Sequence, residues 1–180
     1  MDKPPGLTHL YGNRLTEKDN PLIVFRGKLD TLCAMILEAR LLGEQAGNRA
    51  FVDDLQHTLE FARSILPAEC GGASMAGAKL LGMTSDELRE LCHNPQKHFG
   101  RGHLLVDGGM GALCLRLNLL RAFTREAEVA AVTAFRDASP PFHNGRPDIL
   151  EALNSLSALF YVLMYRYLPG DYAPRGNPGI

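Results

Sequence analysis

Four polar side chains recur on one face of residues 113–135, a segment that reads LCLRLNLLRAFTREAEVAAVTAF and has neither glycine nor proline. At about 100° per residue, Asn118, Arg121, Arg125 and Glu128 fall within an arc of about 80° of a helix. Most other directions of this helix are apolar, which is typical of a buried helix. Because buried charge is costly unless it is paired, we expect this polar stripe to lie inside a bundle or a subunit interface, with partners. The alternative is a solvated face on which Arg125 attracts Glu128.

Three histidines near Cys92 could suggest a metal site, but their spacing is H-x4-H-x4-H in a loop rich in glycine and proline. This spacing of His93, His98 and His103 fits no tight ligand geometry, and solvated loop histidines are the more common case. We therefore predict no bound zinc or iron.

Other polar residues allow two interpretations each. Asp30 pairs either with Arg26, four residues before it, or with one of the arginines of the polar stripe. Asn154 either contacts a ligand or stands at the edge of an apolar face. The pair Gly108-Gly109 either binds an anion at the start of the central helix or forms a simple turn.

The composition suits one globular domain of 180 residues with a formal net charge of −1. This charge gives no reason to expect attraction to nucleic acid or to an anionic membrane surface. We find no signal peptide and no apolar run of the roughly 18 residues that suggest a membrane span. The four cysteines form no C-x-x-C pair, which suits reduced thiols. We expect a cytoplasmic protein.

Apolar spacing at three and four residues predicts helices separated by loops rich in glycine and proline. The predicted helices cover residues 22–47, 48–66 (ended by Pro67), 84–92 (opened by a Thr84–Glu87 capping box), 113–135 and 147–167. Residues 1–21 and 68–83 are predicted as loops, and no strand is predicted. The expected fold is all-α, a bundle of four to five helices, with a single domain over residues 1–168 and an irregular tail over 169–180.

Four segments in order resemble motifs of the ATP:cob(I)alamin adenosyltransferases. Residues 121–128, RAFTREAE, resemble the R-x-x-x-R-x-x-E of the family's central helix, and residues 12–19, GNRLTEKD, resemble its nucleotide loop. Residues 25–30, FRGKLD, and 146–157, RPDILEALNSLS, are similar to the first and last helices of the ethanolamine-utilisation type. The resemblance spans about residues 7 to 168 and is nearer to that type than to the propanediol type.

The resemblance implies transfer of the 5′-deoxyadenosyl group of ATP to the cobalt of cob(I)alamin, giving adenosylcobalamin and triphosphate. It implies Mg²⁺ with ATP, cobalamin as a substrate, and a homotrimer with active sites between subunits. A reductase or a cobalamin-dependent enzyme is a further expected partner. The residues implied are Arg125, Arg121 and Asp30 for catalysis, with Asp30 and Arg121 paired across the subunit boundary; Gly12, Arg14, Lys18, Arg125, Glu128 and Asn154 for ATP; and Phe99, Leu104, Leu105 and Val106 facing the corrinoid.

The sequence also departs from the family. The N-terminal T-K-T-G-D-K-G loop of the propanediol type and the Cys-Cys-x-x-Cys motif of the ethanolamine type do not occur. Ser155 and Ala158 stand where the propanediol type has Arg and Asp. These departures would suit an alternative function, a corrinoid- or nucleotide-binding carrier or sensor with little catalysis. A purely structural bundle would need the polar stripe to be accidental.

Overall fold

The computed structural model describes residues 4–12, 14–136, 145–170 and 172. Within them lie six α-helices and one β-hairpin, as follows: β1 (Leu7–Tyr11), β2 (Arg14–Glu17), α1 (Pro21–Gln45), α2 (Arg49–Gly71), α3 (Ser85–His93), α4 (Pro95–Phe99), α5 (Gly111–Arg136) and α6 (Pro147–Arg166). No helix of the described chain is both long enough and apolar enough to cross a membrane.

The four long helices form the bundle, with α5 packed against both α1 and α6. Its core consists of fully buried apolar side chains from all four helices, among them Ile36, Phe51, Leu120 and Phe160. Burying such side chains stabilises the fold by about 1.5–3 kcal/mol each. The predicted helical bundle is therefore confirmed, and α5 is its central helix.

The prediction of a loop over residues 1–21 is wrong for residues 7–11 and 14–17, which form the two strands of an antiparallel hairpin that pairs Thr8 with Thr16. Gly12, at the turn, has a φ of +52°, a left-handed conformation that glycine adopts at little cost. Leu10 faces inward and is buried, so this hairpin is packed onto the bundle. Of the predicted tail, only residues 169, 170 and 172 lie in the described part; Tyr172 is buried there and its hydroxyl donates to Asp107.

A carboxylate at the end of α2 anchors the hairpin. The side chain of Glu69 is 1% exposed and accepts hydrogen bonds from the Tyr11 hydroxyl and from Nε of Arg26, the latter at 2.8 Å. Nη1 of Arg26 donates to the carbonyl of Leu10 at 2.7 Å. One guanidinium thus links α1, α2 and β1.

A second arginine network holds the start of α6. Nη2 of Arg146 lies 2.8 Å from Oδ2 of Asp148, and its Nη1 donates to the carbonyl of Ala68 at 2.7 Å. Asp148 also accepts from the backbone N–H of Met75 at 3.0 Å. Arg146 itself has a φ of +43°, a strained conformation that these contacts stabilise.

One predicted helix end is wrong. Helix α2 does not stop at Pro67 but continues to Gly71, and Gly72 caps it in the left-handed conformation. Gly43 is buried inside α1, where an added Cβ would lie 2.6 Å from Cδ1 of Phe51. The absence of a side chain here lets α1 and α2 approach closely. The capping box of Thr84 and Glu87 is confirmed.

Candidate functional site

Arg121 and Arg125 stand on α5 between two cavities and line both of them. The larger cavity, about 940 Å³, lies between α5 and the start of α1. Its further lining residues include Asp19, Val24 and Lys28. A ligand in either cavity can therefore contact both guanidinium groups.

The smaller cavity, about 440 Å³, is formed by α3, α5, α6 and the segment before α5. Its lining includes the basic or titratable side chains Arg89, His93, His103, Arg121 and Arg125 and the neutral polar side chains Ser85, Asn154, Ser155, Ser157 and Tyr161. No carboxylate is among the described residues that line it. Such a concentration of positive charge favours an anionic ligand.

The polar stripe of α5 is not inside the bundle. Arg125 is exposed, whereas Asn118, Arg121 and Glu128 are half-buried. Within the described chain Arg125 has no salt bridge, and burial raises the pKa of the Glu128 carboxyl, although the charge of Arg125 partly opposes this rise. The interior position is thus wrong for one chain, and the subunit interface and the solvated face both stay predictions.

Apolar side chains flank this stripe in the open. Leu115, Leu119, Val129 and Val132 of α5 are exposed, and so are Leu37 and Leu41 of α1. Large apolar side chains grouped on one surface are typical of a protein contact.

Asp30 lies exposed on α1, and no ion-pair partner for it exists in the described part of the chain. Its proposed partner four residues earlier, Arg26, binds Glu69 instead. The interpretation that pairs Asp30 with Arg26 is therefore wrong. Its carboxylate is available to a group from outside the chain.

The residues predicted to bind nucleotide are only partly brought together. Asn154 is exposed on α6 and lines the smaller cavity with Arg121 and Arg125. Arg14 and Lys18 are exposed on the hairpin and its exit, and like Gly12 they line neither cavity. Within one protomer the structure therefore does not place Gly12, Arg14 or Lys18 in the lining of either cavity, although Asp19, next to Lys18, lines the larger one.

Two of the four residues predicted to face the corrinoid line the smaller cavity, namely Leu104 and Val106. Leu105 is 75% exposed and lines neither cavity. Phe99 is half-buried and stacks on Tyr165, with ring centroids 4.4 Å apart. Phe99 thus packs against α6 and supports the segment before α5 from the side of the bundle.

The histidines near Cys92 do not converge. His98 lies 3.2 Å from Glu90, His103 lies against Tyr161, and His93 lines the smaller cavity. In the described ranges no three His, Cys, Asp or Glu side chains are placed to hold a metal ion together. Burial raises the pKa of the Cys92 thiol to about 11, so this thiol is protonated at neutral pH.

The Gly108-Gly109 pair forms a turn rather than an open anion site. These glycines begin a short 3₁₀ turn, Gly108–Met110, ahead of α5. The carboxylate of Asp107 accepts from the N–H of Gly109 at 2.6 Å and so occupies the position an anion would take.

Sequence reasoning missed Arg89, Ser85 and Tyr161 as cavity residues. Arg89 lies on α3, two residues after Glu87 of the capping box. The capping box predicts the helix, but it does not predict which way the Arg89 side chain points. Helix α3 packs against α6, where the Ser155 hydroxyl donates to that of Ser85 at 2.8 Å. This contact between helices, which no local pattern encodes, brings Arg89 to the cavity.

The fold is a helical bundle whose central helix presents two arginines to a cavity without carboxylates, over the described lining, and such a lining is suited to an anionic ligand. The sequence comparison is more specific: residues 2–167 match the family described as Cobalamin adenosyltransferase. The chain belongs to the cobalamin adenosyltransferase family.

Two relatives are similar to most of this chain. It is 34% identical over 165 residues to the corrinoid adenosyltransferase EutT of Salmonella typhimurium (strain LT2). The matched residues are 91% of this chain and 59% of that protein. The corrinoid adenosyltransferase EutT of Escherichia coli (strain K12) is 32% identical over 163 residues, 90% of this chain and 58% of that protein. The chain thus spans about three fifths of the length of these relatives. No solved structure matches it.

Proposed function

We propose that this protein transfers the 5′-deoxyadenosyl group of ATP to the cobalt of cob(I)alamin, giving adenosylcobalamin and triphosphate. The observation that carries the proposal is one cavity of about 440 Å³ shared by Arg121, Arg125, Asn154, Leu104 and Val106. Its polar side suits a polyphosphate and its apolar side suits a corrin face. Both relatives described above are corrinoid adenosyltransferases by name.

The leaving triphosphate is strongly negative, and the role of the arginines in this proposal is to bind it. Arg125 is exposed at the cavity without a salt bridge in the described chain, so its guanidinium is free to bind phosphate oxygens. Arg121 lines the same cavity, and Asn154 offers an amide to the nucleotide. Glu128, one turn beyond Arg125, would orient that guanidinium or touch the nucleotide.

Reduced cobalt is itself the nucleophile of this reaction, so the protein has to orient the reactants rather than attack. The raised pKa of Cys92, about 11, agrees with this, because it keeps protonated the one thiol among the described residues that line the cavity. Leu104 and Val106, with Leu105 beside them, supply apolar surface against the corrin ring. Such a wall disfavours the lower axial ligand and makes the cobalt easier to reduce.

Mg²⁺ fits this site as a companion of the nucleotide. The smaller cavity is cationic and would hold phosphate oxygens, whereas Asp19 offers a carboxylate in the larger cavity beyond Arg121 and Arg125. Mg²⁺ binds chiefly to phosphate oxygens, water and one or two carboxylates. When bound, it would neutralise part of the triphosphate charge.

A homotrimer completes the site in this proposal. Exposed Leu37 and Leu41 on α1 and exposed Leu115 and Leu119 on α5 supply apolar contact surface. Asp30 of one protomer would pair with Arg121 of the next, which gives the exposed carboxylate a partner. Gly12, Arg14 and Lys18 would reach the nucleotide from a neighbouring protomer. The cytoplasmic location, and a reductase or a cobalamin-dependent enzyme as a partner, stay predictions.

The direct test is an anaerobic assay with ATP, Mg²⁺ and chemically reduced cobalamin, in which the light-sensitive spectrum of adenosylcobalamin is followed. Formation of adenosylcobalamin and triphosphate in equal amounts supports the proposal. Ser155 and Ala158 leave the cavity without two charges found in the propanediol type. They favour the alternative, a carrier or sensor, which would bind ATP or cobalamin in the same mixture without turnover.

A further inference from the structure

We propose that Tyr161 and Tyr165 form a clamp that fixes the corrinoid-facing segment 102–106 and couples it to Arg121. Both tyrosines lie on α6, four residues apart, and therefore on one face of that helix. The inference rests on the proposed function, because it assumes that Arg121 binds nucleotide and that segment 102–106 contacts the corrinoid. Tyr161 and Tyr165 are positioning residues in this scheme and take no part in bond making.

Each tyrosine hydroxyl has a single hydrogen, and this fixes which group donates in each hydrogen bond of the clamp. The Tyr165 hydroxyl donates its single hydrogen to the carbonyl of Gly102 at 2.8 Å. The hydroxyls of Tyr161 and Tyr165 are 3.0 Å apart, so Tyr161 must be the donor between them. Tyr161 oxygen in turn accepts from the backbone N–H of Leu104 at 3.1 Å. The chain of donors thus begins and ends on the backbone of the same segment.

Two ring contacts extend the clamp to either side. Phe99 stacks on Tyr165 with ring centroids 4.4 Å apart, which fixes the entry of the segment. On the other side the guanidinium carbon of Arg121 lies 5.4 Å from the centre of the Tyr161 ring, within the range of a cation–π contact. Tyr161 therefore touches both Arg121, which lines the cavity proposed to hold the nucleotide, and the backbone of Leu104.

This arrangement couples two binding events. ATP that draws Arg121 toward its phosphates changes the contact of Arg121 with the Tyr161 ring, and the Tyr161 hydroxyl holds the segment that meets the corrin. By linkage, the corrinoid must then change the affinity for ATP by the same factor. The described groups that face Tyr161 are Arg121, His103 and Tyr165.

Two substitutions separate the hydroxyl from the ring. Tyr161→Phe removes the hydrogen bond to Leu104 but keeps the ring beneath Arg121, whereas Tyr161→Leu removes both. We expect Tyr161→Phe to raise KM for cob(I)alamin about 3- to 10-fold, the worth of one or two neutral hydrogen bonds, and to leave the Kd for ATP alone unchanged. Tyr161→Leu should also weaken ATP binding and abolish the coupling.

The coupling itself is measured by titrating ATP calorimetrically with and without saturating cob(II)alamin. Wild-type protein should show different ATP affinities in the two titrations, and Tyr161→Leu should show equal ones. Tyr165→Phe breaks the same chain of hydrogen bonds and should repeat the KM effect of Tyr161→Phe. This second variant keeps the test decisive if Tyr161→Phe is poorly folded.

Tyr167→Phe is the matched control, because its hydroxyl donates at 2.6 Å to Asp54, away from both cavities' arginines. It should lose stability without any change in KM. If the wild-type protein is active and KM for cob(I)alamin is unchanged in both Tyr161→Phe and Tyr165→Phe, the clamp is overturned. A wild-type protein that binds neither ATP nor cobalamin would instead overturn the proposed function.

Discussion

Arg26 and Glu69 form an ion pair between α1 and the end of α2, with Nε 2.8 Å from Oε2 and the carboxylate almost fully enclosed. The same carboxylate accepts a hydrogen bond from Tyr11 and so holds the N-terminal hairpin. Desolvation and the neighbouring carboxylate raise the pKa of Tyr11, which therefore stays a neutral donor. This pair therefore helps to hold strand β1 on the bundle, together with the burial of Leu10.

We predict that Glu69→Gln lowers the free energy of unfolding by about 2–4 kcal/mol, because it leaves the charge of Arg26 poorly compensated. Urea denaturation monitored by circular dichroism measures the change. Glu44→Gln is the control, since Glu44 forms an exposed helical pair with Arg40 that is worth about 0.5 kcal/mol. Equal losses in both variants would show that the buried pair has no special role.

Arg125→Ala should reduce kcat/KM for adenosyl transfer about 30- to 1000-fold, equivalent to about 2–4 kcal/mol of lost charge-assisted contact. The fold should be unaffected, because Arg125 is exposed and has no salt bridge within the described chain. Arg63→Ala, another exposed arginine but on α2, should leave activity unchanged. A near-normal rate for Arg125→Ala would refute the assignment.

Asp30 and Arg121 should be coupled between protomers. We expect Asp30→Ala and Arg121→Ala each to weaken assembly, measured by light scattering after size exclusion, because each leaves a desolvated charge alone. The exchange Asp30→Arg with Arg121→Asp should partly restore the oligomer. A double-mutant cycle with a coupling energy below about 0.5 kcal/mol would exclude the pair.

The start of α6 should respond to acid. Hydrogen bonding to Arg146 lowers the pKa of Asp148 from 3.8 to about 2, so the ionised carboxylate stabilises the folded state. That contribution is complete above about pH 4 and disappears as the pH falls toward 2. Thermal unfolding of Asp148→Asn should therefore change less between pH 5 and pH 2 than wild type. Asp86→Asn, which removes an exposed pair, should follow the wild-type curve.

Activity should require Mg²⁺ but not stoichiometric zinc or iron. Elemental analysis of protein purified without a histidine tag should show neither transition metal in equimolar amount. EDTA should abolish turnover, and added Mg²⁺ should restore it. Equimolar zinc or iron that disappears with activity in a Cys92→Ser, His98→Ala variant would contradict this prediction.

The bundle could be predicted because its signals are local: apolar residues at helical spacing, a capping box at Thr84 and a proline at the first turn of α6. The hairpin was missed because all but one of its strand residues are exposed or half-buried and only Leu10 is buried, so alternation is weak. Pro67 misled the prediction because a long, otherwise regular helix tolerated it.

The site shows the same division. The arginine stripe follows from spacing along α5, whereas Arg89 and Tyr161 reach the cavity through packing between helices. Asp30 had a local candidate partner in Arg26, but Arg26 forms its ion pair with Glu69, which lies 43 residues after Arg26 in the sequence. Contacts of this range depend on how α1 and α2 cross, and no local pattern contains them.

That crossing rests on Gly43, whose missing side chain leaves the space that the ring of Phe51 fills. The two positions therefore share one volume. In an alignment of related sequences we expect them to covary: a residue with a side chain at position 43 should accompany a smaller one at position 51. Gly43→Ala alone should lower the stability of the fold. Phe51→Leu in the same chain should compensate for it, because the total volume of the two side chains is what the space can hold.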